Sequence, residues 1–279
     1  MSERPLLVAQ ISDLHIKQPN ELAYDHVDTA AALSRCVLTL NRLLPRPDLV
    51  VISGDLADTP RLEEYEHLKR LLAPLDIPFV AIPGNHDARA LMRAALPAQP
   101  YAQTNGALNL AVRVGALDIV LLDSSVAGAP HGELEAATLA FLEATLAASA
   151  TRPALLFLHH PPFATGIAHM DVQALRNVAA LEAILQRHRR VRLVAAGHVH
   201  RAIVAMVGGI AATICPAPNH AVALDLAASL PPSLTLEPPA FHLHAWFSGN
   251  RFGRVVTHVV PIGDFAGPYP FFGADGRLL

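Results

Sequence analysis

The sequence predicts an α/β domain with a layered core, on three observations. Short apolar runs alternate with longer amphipathic segments over the first two-thirds of the chain. Five of the apolar runs end in Asp, Asn or His, often after a glycine. Beyond Gly197 the pattern changes to paired strand-length runs and a proline-rich stretch. Alternation of strand-type and helix-type segments is what a sheet covered by helices requires.

Taken in order, Leu6 to Ile11 is an apolar run of strand length. Asp25 to Leu44 places Val27, Ala30, Ala31, Leu33, Val37, Leu40 and Leu44 near helical spacing, and Pro45 and Pro47 end it. Asp48 to Ile52 is a second strand, Leu62 to Leu72 a second helix and Ile77 to Ile82 a third strand. Leu108 to Val114 and Leu117 to Leu122 form two strands that turn at Gly115-Ala116. Glu133 to Ala148 is a helix, Ala154 to Leu158 a strand, Val172 to Arg187 a helix and Val191 to Ala195 a strand. Arg201 to Val207 and Ile210 to Ile214 read as a hairpin around Gly208-Gly209. After prolines 216, 218, 231, 232, 238 and 239 come two more strands, Phe241 to Phe247 and Arg254 to Val260. The proline-rich segment is either a lid over a site or a linker within a β-rich completion of the domain. The aromatics of the tail, Tyr269, Phe271 and Phe272, are expected to pack on the body or on a neighbouring subunit, as are Trp246 and Phe247.

The chain has 279 residues, of which 52% are apolar and 16% charged. That composition excludes disorder, which needs polar, charge-rich sequence. The net charge is −3, from 21 basic and 24 acidic residues. A polymer of phosphates needs a cationic surface, so no nucleic-acid partner is expected. Cys36 and Cys215 are too few for a disulfide framework or a thiolate zinc site. The start, Met1 to Pro5, has no basic, apolar leader, and no run of about 18 apolar residues spans a membrane. A reducing cytoplasm and no membrane partner are the expectation.

The chain has 15 histidines, and several of them sit where strands end. The strand ends carry Asp13-Leu14-His15, Gly54-Asp55, Gly84-Asn85-His86-Asp87, His159-His160-Pro161-Pro162 and Gly197-His198-Val199-His200. In open α/β sheets the carboxyl ends of strands are where ligands bind, so residues far apart in sequence can converge there. Asp13 and His15 are two apart, as are His198 and His200, and in extended backbone such pairs face one side. A lone Asp-x-His or Gly-Asp means little. The full set in this order is far more specific. Carboxylate, imidazole and one amide oxygen, without thiolate, suit Zn, Mn, Fe or Co. Seven such groups exceed one tetrahedral zinc and suit two ions sharing a carboxylate, a pairing that drives phosphoester hydrolysis.

With these motifs the chain resembles the calcineurin-like metallophosphoesterases. The resemblance implies a four-layer α/β/β/α sandwich with a β-rich C-terminal extension, divided here as a core over 1–215 and a C-terminal lid with completing strands over 216–279. It implies that Asp13, His15 and His200 hold one ion, that Asn85, His159 and His198 hold the other, and that Asp55 bridges both. His86 would sit over the substrate phosphate as the catalytic side chain, with Asn85 and His86 binding substrate and a metal-held hydroxide as nucleophile. A hydrogen bond from His86 to Asp87 or a similar acid is the competing role. A finer similarity, over roughly residues 6 to 262, is to class III cyclic nucleotide phosphodiesterases and bacterial glycerophosphodiesterases. It rests on Leu122-Asp123-Ser124-Ser125, His159 to Phe163, His169-Met170-Asp171, Pro218-Asn219-His220 and Pro238 to Phe241. That similarity implies a substrate-lining role for His220, against which stands a loop histidine in solvent. His160 is expected to support its neighbour rather than bind metal. The stretch Leu56 to Arg61 lacks the glycine common after Gly-Asp in this family, which leaves the pocket rim and substrate choice open.

The resulting expectation is a dinuclear phosphodiesterase for small diesters such as 3',5'-cyclic nucleotides (cAMP among them) or glycerophosphodiesters, assembled as a homo-oligomer. The rivals are a phosphomonoesterase, a nuclease and a scaffold that kept the fold without catalysis. The complete ligand set and His86 argue against the scaffold, and the charge balance against the nuclease. His26, His67, His131, His188, His242, His244 and His258 are read as structural, and Cys36 as a core residue.

Overall fold

A computed structural model describes residues 4–249 and 253–279; the N-terminal residues 1–3, read above for targeting, lie outside it. Its elements follow the chain as β1 (Leu6–Ile11), α1 (Thr29–Arg42), β2 (Leu49–Ser53), α2 (Leu62–Leu72), β3 (Phe79–Ile82) and α3 (Arg89–Ala95). Next come β4 (Leu110–Val114), β5 (Leu117–Leu122), α4 (Ala136–Ala147), β6 (Ala154–Leu158), α5 (Ala168–Asp171), α6 (Val178–Arg187) and β7 (Val191–Ala196). The last third holds β8 (Ile203–Val207), β9 (Ile210–Ile214), β10 (Ala221–Val222), β11 (Leu234–Thr235), β12 (Ala240–Phe247) and β13 (Arg254–Pro261).

Two sheets face each other. One has the order β13-β12-β1-β2-β3 and the other β4-β5-β6-β7-β9-β8. The period-two rule of a strand shows where the layers lie. Leu155 and Phe157 of β6 pack in the core shared with β1, β2 and β3, whereas Leu156 and Leu158 pack against Leu142 of α4 and Leu181 of α6. On the other sheet, Leu33, Val37 and Leu40 of α1 and Leu68 of α2 cover the outer face. The layers are therefore α/β/β/α. Burial on both faces explains why β2 and β6 are apolar at nearly every position. Strands β1, β2 and β3 run parallel, as do β5, β6 and β7, so each sheet gathers its strand ends on one rim.

Residues after 215 do not form a separate body throughout. β12 lies antiparallel to β1, with Gln10 opposite His242, and β13 closes that sheet. β10 and β11 form a small two-stranded ribbon of their own.

Several expectations need correction. The first helix starts at Thr29, not Asp25, because Tyr24 and Asp25 take left-handed backbone (φ 51° and 58°) and the Asp28 side chain caps the helix by accepting from the Ala31 N–H at 2.9 Å. The helix read over Val172–Arg187 begins only at Val178. Its first residues serve other strands' loops: Leu175 N–H donates to the Pro161 carbonyl, Arg176 N–H to that of Gly132, and the Asn177 side chain bonds both backbone groups of Leu134. Helix α3 was not anticipated. The helix read over Glu133–Ala148 runs from Ala136 to Ala147. Tyr269, Phe271 and Phe272 are 58–80% exposed in the single chain, against packing on the body, the other expected place being a neighbouring subunit. Trp246, by contrast, is buried, as expected.

The opposed faces of β6 give a stability test. Phe157→Ala should cost about 3–5 kcal/mol and Leu156→Ala about 2–5 kcal/mol, read as a lower urea midpoint with the slope unchanged.

Candidate metal centre

All seven expected ligands meet at the rim where the parallel strands end. Asp13 and His15 follow β1, Asp55 follows β2, Asn85 follows β3, His159 follows β6, and His198 and His200 follow β7. The Asp55 carboxylate stands between the two sets: its Oδ2 lies 3.6 Å from His15 Nε2 and 3.3 Å from His159 Nε2. On one side His15 Nε2 faces His200 Nε2 at 3.3 Å, and His200 Nε2 lies 3.4 Å from Asp13 Oδ1. On the other, His159 Nε2 is 3.2 Å from Asn85 Oδ1 and 3.3 Å from His198 Nδ1. Asp13, His15 and His200 form one compact group of ligand atoms, and Asp13, Asp55 and His159 another.

The backbone is bent to achieve this. Asp13, His15, Asp55, His198 and His200 all have positive φ, between 47° and 74°. For residues with a Cβ, such conformations cost about 1–3 kcal/mol each and persist only where the surroundings enforce them. The bends are locked by hydrogen bonds. The Asp13 N–H donates to the Gly54 carbonyl and the His15 N–H to that of Asp55, while the His198 N–H donates to the Asp13 carboxylate at 2.9 Å. Two glycines let the loops close: a Cβ at Gly54, itself at φ 108°, would overlap the His159 ring, and one at Gly84 would overlap the Asp55 carboxylate.

The orientation of the rings leaves lone pairs pointing inward. His159 Nδ1 donates to the Ser53 carbonyl at 2.9 Å, since a carbonyl only accepts, and so Nε2 faces Asp55 and Asn85. His15 Nδ1 is held by the Asp58 carboxylate at 3.2 Å, and so Nε2 faces His200. Burial works against charge on His159, yet the Asp55 carboxylate and its hydrogen bond raise that imidazole to about 9. Burial raises Asp13 to about 6, opposed by His159. Burial pushes Asp55 up as well, but His159, His86 and His15 hold it well below the carboxylate range. His198 and His200 are kept neutral, first by burial and then by their neighbouring imidazoles. The buried His198 Nε2 has no hydrogen-bond partner. A largely buried set of carboxylate, amide-oxygen and imidazole acceptors, with His198 Nε2 left without a partner, fits divalent cations, which compete with protons for the same atoms.

His86 lies beside the cluster, with its ring edge-on to His15 at 4.7 Å. Its N–H backbone donates to Asp55 Oδ1 at 2.9 Å. Its ring partner is not Asp87: Nδ1 donates to the Asp58 carbonyl at 2.7 Å, which leaves Nε2 for a ligand. Asp87 instead joins the loops after β2 and β3, accepting from Gly84, Leu56 and Ala57 N–H and from the Tyr65 hydroxyl. His220 is not a solvent histidine. It is 4% exposed, its ring is 4.5 Å from that of His200, and burial pulls its imidazole down to about 2. Asn219 places it by donating to the carbonyls of Asp13 and Leu14. His160 stands beside the cluster, its ring 5.0 Å from that of His198 and its Nδ1 on the Ser124 hydroxyl at 2.8 Å, and with His159 and His198 it makes a further group of ligand-type atoms.

The arrangement decides the family. The profile of the calcineurin-like phosphoesterases matches residues 6–202. The chain belongs to the calcineurin-like phosphoesterases. It is 38% identical over 275 residues, 98% of this chain and 100% of the other, to a protein of Arcobacter nitrofigilis named probable glycerophosphodiester phosphodiesterase GpdQ. It is 33% identical over 202 residues, 71% of each chain, to the 3',5'-cyclic adenosine monophosphate phosphodiesterase CpdA of Escherichia coli. Among solved structures, a dimetal phosphatase of Danio rerio shares the fold, with a TM-score of 0.64 at 16% identity, covering 94% of this chain and 100% of that one.

Within this phosphoesterase site, sequence reading missed two residues. Tyr24, from the loop before α1, lines the cleft edge-on to His220 at 5.4 Å. No motif marks it, because only its left-handed backbone turns it inward. Asp58 lies in the stretch read above as pocket rim, but it anchors His15 by its side chain, His86 by its carbonyl and Lys17 at 3.1 Å. Its signal was a carboxylate three residues after Asp55. Carboxylate partners of ligating imidazoles are typically worth about 10–100-fold in metal affinity. Asp58→Ala should therefore weaken Mn²⁺ binding by about that factor in calorimetry. Gly84→Ala should lose most bound metal, because its Cβ would displace Asp55.

Proposed function

We propose that the seven residues around Asp55 hold two divalent ions, of Fe, Mn, Zn or Co, and that the chain hydrolyses small phosphodiesters, with a glycerophosphodiester as the leading substrate. The observation that carries this is the cleft over the cluster. It encloses about 290 Å³, and beyond His15, Asp55, Asn85, His198, His200 and His86 its wall is made of Tyr24, His169, Met170, Gln173, His220, Val222 and Pro232 to Leu234. None of these wall residues is Arg, Lys, Asp or Glu. A diester has one negative charge for the metal side and a neutral or small polar alcohol for the wall. A polynucleotide would need a track of cationic contacts, which this wall does not offer.

The substrate reading is supported by the span of the relatives. The match to the glycerophosphodiesterase of Arcobacter nitrofigilis takes in the last third, whose residues 222 and 232–234 roof the cleft, whereas that to the Escherichia coli cAMP phosphodiesterase covers 71% of the chain. In this reading residues 216–239 serve as the lid. A cyclic nucleotide is the second reading, favoured by the half-exposed Tyr24 ring beside His220, a flat surface on which a base can stack. A cytoplasmic homo-oligomer, with the exposed tail aromatics covered by another copy, completes the proposal.

When bound, the two ions would neutralise phosphate charge and activate water. The chain supplies the rest. Asp55 would draw both ions to one phosphoryl group. Asn85 and His86 lie next to each other on the loop after β3 and would grip the phosphate from the cleft side. His86, its Nδ1–H fixed on the Asp58 carbonyl, presents Nε2 to the leaving oxygen and can deliver a proton there when charged.

Stripping the metals and reloading Mn²⁺ should restore hydrolysis, faster for glycerophosphoethanolamine than for cAMP. A clear preference for cAMP would select the second reading, and no metal-dependent rate on either would overturn both. Asp55→Ala should abolish turnover and reduce bound metal. His86→Ala should keep its metal and lose about 10²–10⁴-fold in turnover, most for poor leaving groups.

A further inference from the structure

Beneath the ligand set, the apolar core between the sheets holds a line of polar side chains. Gln10, next to last in β1, is fully buried. Its amide nitrogen donates twice, to Ser53 Oγ at 2.9 Å and to the Ala196 carbonyl at 3.0 Å. Its amide oxygen faces His244 Nε2 at 3.1 Å, and His244 Nδ1 faces the Thr257 hydroxyl at 2.8 Å. The hydrogens can be assigned without conflict. The amide oxygen can only accept, so His244 carries its proton on Nε2 and accepts from Thr257 at Nδ1. Every polar atom of the Gln10 side chain is satisfied, as a buried amide requires.

The places joined are those from which ligands depart. Ser53 ends β2 two residues before Asp55, and its own carbonyl accepts from His159 Nδ1. Ala196 ends β7 two residues before His198, on the other sheet. Gln10 stands three residues before Asp13. One side chain thus fastens three strand ends across the gap between the sheets, beneath the His159–Ser53 and His198–Asp13 hydrogen bonds that cross it at the rim.

We infer that Gln10 is a positioning residue that fixes the distance between the ligands carried by the two sheets, and through it the pairing of the two metal ions. This inference rests on the dinuclear reading given above. His244 would act on Gln10 alone, holding the amide in the orientation that points both N–H groups at the strand ends.

The test is Gln10→Met, which keeps the side-chain length and removes all three hydrogen bonds. Wild type, Gln10→Met and Ser53→Ala would be titrated with Mn²⁺ by calorimetry and examined by electron paramagnetic resonance, which separates exchange-coupled pairs from isolated ions. Wild type should bind two ions with a coupled signal. Gln10→Met should bind the weaker ion at least tenfold less tightly, with the coupled signal replaced by an isolated one, and kcat should fall more than KM rises. If Gln10→Met does not fold, Ser53→Ala removes one acceptor while keeping the carbonyl that holds His159, and should show a smaller change in the same direction. A folded Gln10→Met, or failing it Ser53→Ala, with wild-type affinities and an unchanged coupled signal overturns the inference. Thr257→Val, at the far end of the line, should weaken the effect and not abolish metal pairing. Wild type that binds fewer than two ions would instead overturn the dinuclear reading itself, a result visible before any variant is compared.

Discussion

Asp55 is the point on which the site closes. Its carboxylate faces His15 and His159 from the two halves of the ligand set and accepts the His86 N–H, while its backbone carbonyl receives the His15 N–H. A buried carboxylate in such a position is costly unless positive charge surrounds it. The imidazoles of His159, His86 and His15 oppose that cost and hold the Asp55 carboxyl well below the usual range. The neighbouring loops are shaped to the same end: a glycine at 84 leaves room for the Asp55 carboxylate and a glycine at 54 leaves room for His159.

Holding these groups together demands a rigid frame. Five of the ligand residues sit in left-handed backbone, which a loose scaffold would relax. The α/β/β/α layers supply the rigidity through two apolar cores, one between the sheets and under α1 and α2, the other under α4 and α6. Polar anchors then fix direction where apolar packing alone sets only distance. Asp87 ties the loop after β2 to that after β3, Asn219 ties the His220 loop to that after β1, and Asp58 orients both His15 and His86. Gln10 extends the same logic into the core between the sheets.

The cleft above the cluster divides the work between charge and shape. The cluster side is rich in ligand atoms, and the opposite wall is neutral, with segments from three parts of the chain: the loop before α1, the turn around α5 and the ribbon of β10 and β11. Two of those segments lie where sequence reading was weakest. Helical spacing extends into the stretch before α1 and over residues 172–177, where the chain forms no helix. In both, backbone groups are used by distant partners or by capping, and side-chain periodicity carries no record of such bonds.

What the sequence determined by itself follows from local rules. Apolar runs of strand length followed by Asp, Asn or His, with a glycine before Asp55, Asn85 and His198, are readable residue by residue, and they mark the layered α/β class and the strand ends; the resemblance to a family turned those residues into seven candidate ligands. Its reading of His220 stayed open and its reading of Asp58 stopped at the rim, because a histidine in a proline-rich stretch and a carboxylate in a loop look alike in solvent and in a site. Tertiary structure decided these: His220 is buried because Asn219 bonds the Asp13 loop, and Asp58 matters because its side chain and its carbonyl reach different histidines. Tyr24, Gln10 and His244 acquire meaning only when strands and loops distant in sequence lie side by side. Periodicity records which face of an element is apolar; it does not record which distant backbone or polar atom that face will meet.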